Sequence, residues 1–210
     1  MKLIVDLNAD LGEGAGYDDE LLKFVTSANI SCGFHAGDPL SIFRSIRAAK
    51  EQNVSVGAHP SYDDKANFGR QELTVSPEEL FAQLTYQIGA FYSLAIAAGA
   101  RATHIKPHGA LYNAAAREQK IAEAVARAIV AVDSALILFA PADSALERAG
   151  RGAKLKVVRE VFADRNYLAD GSLVPRSRSD ALLKNPKEAA SRVLRMSARS
   201  SSTFCRFFWV

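Results

Sequence analysis

Between residues 77 and 98 the apolar positions Leu80, Leu84, Ile88, Phe91 and Ala95 recur every three or four residues, the period of a helix that buries one stripe. The stretch opens SPEE: Ser76 suits the N-cap, Pro77 the first turn and Glu79 the return half of a capping box, while Gly99 stands where a helix stops. Three further segments, 39–52, 117–132 and 142–149, read as helices. Short β-rich runs lie at 3–7, 28–32, 54–58, 103–106, 136–140 and 155–161. Strands alternating with helices of this size predict parallel pairing through right-handed crossovers.

The polar residues choose between a barrel and an open sheet. Asp6, Asn8 and Asp10 alternate with Leu7, Ala9 and Leu11, so three polar groups share one face of the first strand. A sheet covered by helices on both faces would make that face apolar. A barrel mouth accommodates it, because strand ends and the loops after them build the site there.

The same pattern recurs downstream. His35 follows the second strand, His59 ends VSVGAH, and His104, Lys106 and His108 lie in THIKPHG, so all four histidines map to one end of successive parallel strands. A lone histidine at a strand end is usually structural, but several at one rim with Asp6 and Asp10 point to a site for general acid–base chemistry. Cys32, in SCGFHAGD beside His35, reads as a small buried residue rather than a thiol nucleophile. Asp38 before Pro39 reads as a helix N-cap, and Asn8 as either a site residue or a loop tie. An aspartate with two histidines could also hold a divalent ion, although no HExxH or HxH motif supports one, and no bound metal is expected. GEGAG at 12–16 matches neither GxGxxG nor GxxxxGK[ST], so the chain carries no recognised nucleotide loop of its own.

Charge narrows the partners. The 210 residues carry a formal net charge of +3, but 189–210 hold four arginines and no acid. With those set aside, 22 basic groups face 23 acidic ones, so the body lacks the basic face that nucleic acid requires. The N-terminus meets Asp6 too soon for a signal peptide, and the unbroken apolar runs are too short to span a bilayer. Two distant cysteines form no disulfide framework. A cytoplasmic protein with neither nucleic-acid nor membrane partners is expected.

Five segments, DLNADLGEG, TSANISCGFHAGDP, VGAHPSYDDKANFGR, HIKPHGALYN and REVFADRNYLADGSLVPR, closely resemble in this order the lactam-utilisation LamB/YcsF family, known as the A component of 5-oxoprolinase. The resemblance covers about residues 1–196. It implies a TIM-like, irregular parallel β/α barrel related to sugar deacetylases. It also implies ATP-dependent opening of 5-oxoproline (pyroglutamate) to L-glutamate with partner subunits B and C, ATP being a cosubstrate handled as Mg-ATP with those partners. On that footing Asp10 and His59 are assigned proton transfer, with His35, Lys106 and His108 holding or polarising the substrate. Asp6, Asn8, Arg70, Glu160 and Arg165 are candidates for binding it. The alternatives are a stand-alone metal-dependent deacetylase or amidase, and a non-catalytic substrate-binding subunit.

After Met196 the resemblance stops, and SARSSSTFCRFFWV reads as neither amphipathic helix nor barrel strand. The expected organisation is therefore a barrel over 1–196 that lacks its last strand and helix, with an aberrant Ser/Arg/aromatic tail over 197–210. A frameshifted or truncated gene would give such an end, as would a natural short variant. The edge of strand 1 is then expected to be open, unless the aromatic tail covers it.

Overall fold

The computed structural model describes residues 4–199 and 204–208; Leu3 and Trp209, assigned above to the first strand and the aromatic tail, lie outside them. The chain runs β1 (Ile4–Leu11), α1 (Asp18–Leu21), β2 (Ser27–Ser31), α2 (Pro39–Glu51), β3 (Ser55–His59), α3 (Pro77–Ala97), β4 (Ala102–Ile105) and α4 (Gly109–Arg117). It continues α5 (Gln119–Val132), β5 (Ile137–Pro141), α6 (Ala145–Gly152), β6 (Lys156–Phe162), α7 (Pro186–Arg199) and β7 (Phe204–Phe208). Each strand pairs in parallel with its neighbours in chain order, so β1–β6 curl into a TIM-like β/α sheet. The barrel is irregular: the β3–β4 register shifts between Val56 and Gly57, and β4 and β5 share only two residue pairs.

By themselves the six strands leave β1 and β6 as edges. The tail occupies that gap: β7 pairs in parallel with β1 from Ile4↔Phe204 to Asn8↔Phe208, and with β6 from Glu160↔Arg206 to Phe162↔Phe208. The stretch read as no barrel strand thus has strand backbone, because two unpaired edges offer its N–H and C=O groups partners that water would otherwise supply.

Local signals set the element ends. Asp38 caps α2, accepting from the backbone of Leu40 and Ser41, and the Ser41 hydroxyl completes the capping box. Ser76 accepts from Glu79 N at the start of α3, but Glu79 takes a bond from Gln83 instead of returning one, so only half of the expected box forms. Leu80, Leu84, Ile88, Phe91 and Ala95 bury as the periodicity required. α3 has the length and composition of a membrane span, yet this stripe packs into the core. Short helices α1 and α4, and the later α7, were not predicted.

Inside the barrel the polar face of β1 is buried in tiers. At the lower end Asp6 Oδ1 accepts from Thr26 Oγ1 at 2.9 Å and Ser27 Oγ at 2.6 Å. Above it, Asn29 Nδ2 donates to Asn8 Oδ1 at 2.6 Å. Asn29 Oδ1 faces His104 Nε2 at 2.9 Å, and the His104 ring stacks on Phe139. His104 therefore belongs to the barrel interior and not to the rim assigned from its strand-end position. Gly57 on β3 makes room for it, since any Cβ there would collide with the His104 ring. Asp10 forms the top tier.

Candidate functional site

At the C-terminal rim five chain segments meet: the end of β1, the glycine-rich loop after it, the loop after β2, the end of β3 and the turn from β4 into α4. Asp10 Oδ2 lies 3.1 Å from His59 Nε2. Its other oxygen lies 3.3 Å from Lys106 Nζ and accepts from Asn29 Nδ2 at 2.9 Å. Lys106 Nζ also meets Glu160 Oε1 on β6 at 3.1 Å and Asn8 Oδ1 at 3.4 Å, and Tyr112 donates to Glu160 Oε2 at 3.0 Å. The ammonium and Glu160 are buried, so each charge depends on the other being there.

The imidazoles form a second layer. His59 Nδ1 donates to the Lys106 carbonyl at 2.6 Å, and His108 Nε2 donates to the Phe68 carbonyl at 2.9 Å. A carbonyl only accepts, so both rings have a nitrogen committed as donor. Their remaining nitrogens, His59 Nε2 and His108 Nδ1, face each other at 2.9 Å. Two lone pairs cannot rest at that distance, so a positive centre belongs between them. His35 stacks flat on His108, ring centres 3.8 Å apart. Gly69, at φ +63°, lets the loop pass beneath both rings: a Cβ there would sit 2.8 Å from His35 Cβ and 2.9 Å from His108 Cδ2.

Glu13 ties the rings together. Its Oε1 lies 2.9 Å from His35 Nε2, 3.3 Å from His108 Nδ1 and 3.7 Å from His59 Nε2. Sequence reasoning missed it by testing GEGAG only as a phosphate loop. The signal was an acid between glycines directly after a strand that carries Asp10 next to its last residue, Leu11. A groove of about 460 Å³ opens beside Glu13, lined also by Gly12, Asp18, Asp38 and Ser45.

The electrostatics follow from this packing. Burial alone would raise the Asp10 carboxyl, but the His59 and Lys106 charges outweigh it and hold the group well below the ordinary carboxylate range. Burial likewise opposes ionisation of Glu13, and hydrogen bonds from His108 and His35 bring it down to about 2. For His59, burial disfavours the imidazolium, yet Asp10 and Glu13 carry its pKa above the ordinary value. His35 goes the other way: burial dominates, the Glu13 contact only partly opposes it, and the group falls to about 4. Burial lifts the Cys32 thiol to about 12, so it is no nucleophile at neutral pH.

Of the residues named from sequence, Asp10, His35, His59, Lys106 and His108 come together, with Asn8 and Glu160 beneath them. Arg70 is exposed and stacks over Phe68, whose ring lies edge-on to both His35 and His108. Asp6 stays at the lower end of β1 on Thr26 and Ser27. The Arg165 guanidinium bonds the Val174 carbonyl, and its backbone oxygen accepts from Arg192. Asn29 and Tyr112, not foreseen, position Asp10 and Glu160.

A family model described as LamB/YcsF matches residues 5–204, nearly the whole chain and every clustered residue. The chain belongs to the LamB/YcsF family. A solved lactam utilization protein from Thermus thermophilus is 41% identical to this LamB/YcsF chain, with a TM-score of 0.91 over 99% of this chain and 90% of that one. A GH113 β-1,4-mannanase superposes with a TM-score of 0.52 at 15% identity, covering 100% of this chain and 89% of its own, a likeness of fold alone. As a LamB/YcsF protein the chain has a role in lactam utilization. The rim chemistry is that of a site able to move a proton beside a fixed cation.

Proposed function

We propose that this chain is the A component of an ATP-dependent 5-oxoprolinase, opening 5-oxo-L-proline to L-glutamate with partner subunits B and C. The observation that carries the reading is the Asp10 carboxylate, held between His59 Nε2 and Lys106 Nζ at the barrel rim of a LamB/YcsF chain. Lactam hydrolysis needs a base to take a proton from water, an acid to protonate the departing nitrogen, and a cation near the oxygen where charge develops. Asp10 with His59 serves the first two needs, and Lys106 the third. Arg70, one ring away from His108, would meet the substrate carboxylate.

Ring closure keeps the amine and the acyl carbon in one molecule, which favours the lactam over glutamate. Coupling to ATP drives the opening: one water is consumed in cleaving the C–N bond and one in hydrolysing ATP to ADP and phosphate. No described loop has the form of a phosphate cradle, so the nucleotide step is assigned to the partners.

The test is glutamate release from 5-oxoproline by the purified chain, alone and with subunits B and C. Release that requires both partners and ATP supports the proposal. ATP-independent cleavage of amides or acetylated sugars by the chain alone would replace it with the stand-alone amidase or deacetylase.

A further inference from the structure

His59 Nε2 and His108 Nδ1 turn toward each other beside Glu13 Oε1, and His35 Nε2 lies 2.9 Å from the same Glu13 oxygen. These four donor atoms, from four separate chain segments, all lie within 4.8 Å of one another. We propose that Glu13, His59 and His108 bind a divalent transition-metal ion of the zinc class, with His35 stacked on His108 and holding the Glu13 carboxylate, a property independent of which lactam or partner the protein meets.

Geometry supports the assignment first. Ligands about 2.05 Å from a tetrahedral centre stand about 3.3 Å from one another. The three edges among these ligands are 3.3 Å for His108–Glu13, 3.7 Å for His59–Glu13 and 2.9 Å for His59–His108, so they bracket that value. A small contraction or expansion of the cluster would seat the ion.

Ring orientation is the second support. His59 and His108 each spend their other N–H on a backbone carbonyl, of Lys106 and Phe68 respectively, which fixes the tautomer that turns a lone pair inward. Metal-ligating histidines are held in this way. The alternative filler of the gap is a single shared proton, which would use the two imidazoles and leave Glu13 Oε1, 3.3 Å from His108 and 3.7 Å from His59, outside the pairing.

Ligand chemistry is the third. Two imidazoles and one carboxylate, with the fourth position left to water, suit zinc, and iron, cobalt or nickel less selectively, whereas magnesium and calcium prefer all-oxygen sets. Glu13 sits on a glycine-rich loop and borders the open groove, so it is the ligand best placed to give way to water or substrate. With an ion bound, His59 is a ligand and proton transfer falls to Asp10 alone, whose Oδ2, 3.1 Å from His59 Nε2, stands beside that position as a base.

The experiment strips the purified chain with a chelator and titrates it with Co²⁺, reading the visible absorption of a tetrahedral complex, then displaces Co²⁺ with Zn²⁺. One equivalent of Co²⁺ giving the band, bleached by Zn²⁺, is expected. Glu13→Gln and His108→Ala should each weaken binding by about 100-fold or more, with circular dichroism confirming that the variants fold, and Cys32→Ala should leave the band unchanged. No band and no stoichiometric Zn²⁺ by equilibrium dialysis would overturn the proposal, as would a band that survives both ligand substitutions. Since no lactam, ATP or partner enters the titration, a metal-free but active complex would sink this inference while leaving the lactam reading standing.

Discussion

Asp10 on β1 and Lys106 at the end of β4 are 96 positions apart in the chain, yet Nζ lies 3.3 Å from Oδ1. Parallel strand order produces this contact, because every strand delivers its last residues to the same rim. The pair also sets what substitution does. Lys106→Met removes the buried cation shared by Asp10 and Glu160 and should destabilise the protein by about 3–5 kcal/mol in denaturant unfolding. Adding Glu160→Gln should recover part of that loss, since it removes the orphaned charge. Additive losses in the double-mutant cycle would show that the two groups do not interact.

Acid should weaken the fold through His35. Its proton binds near pH 6.5 in the unfolded chain and only near 4 in the folded one, so the unfolded chain takes up more protons between those values. The stability from burying neutral His35 is full above about pH 6.5 and is lost as pH falls toward 4, in total on the order of 3 kcal/mol. Glu13, His59 and His108 titrate beside it, so the readout is a difference. Chelator-treated wild type should lose stability over this window more steeply than His35→Phe, measured by urea unfolding at successive pH values. Equal slopes would refute the assignment.

Gly69→Ala should injure the site without touching a charged group. The new methyl would press on His35 and His108 at a backbone with φ +63°. Left-handed backbone costs a non-glycine residue roughly 1–2 kcal/mol even before the clash. We expect a lower thermal midpoint and weaker activity in the same variant.

Cys32→Ala, by contrast, should keep full activity. Burial holds the thiol near 12, and its sulfur lies 3.6 Å from the Ile30 carbonyl. Loss of turnover in this variant, with folding intact, would revive the nucleophilic thiol.

Deleting residues 200–210 removes β7 and leaves the β1 and β6 backbones unpaired on one side. Such edges recruit other chains. The deleted protein should elute from size exclusion as aggregate, and a monodisperse monomer would contradict the pairing.

Much of this was legible in the sequence because it follows from period and position. Alternation in β1 announced the barrel, and strand ends at His59 and Lys106 announced the rim. What failed had physical causes of its own. His104 shares the inward face with Lys106, but a position two residues earlier falls one tier lower, against Asn29 and Phe139. Asp6 lies four residues before Asp10 and so falls at the lower end of the barrel. Glu13 belongs to an irregular loop, where neither helical nor strand period predicts direction. The pairing of 204–208 depends on edges elsewhere in the fold and leaves no local trace.

The most direct measurement is ATP-dependent glutamate formation from 5-oxoproline by the complex reconstituted with Asp10→Asn, a change that preserves shape and removes the negative charge between His59 and Lys106. The account predicts a fall of at least about 100-fold while the variant still assembles with its partners. Wild-type turnover in that variant would mean that the rim around Asp10 is not where the ring opens.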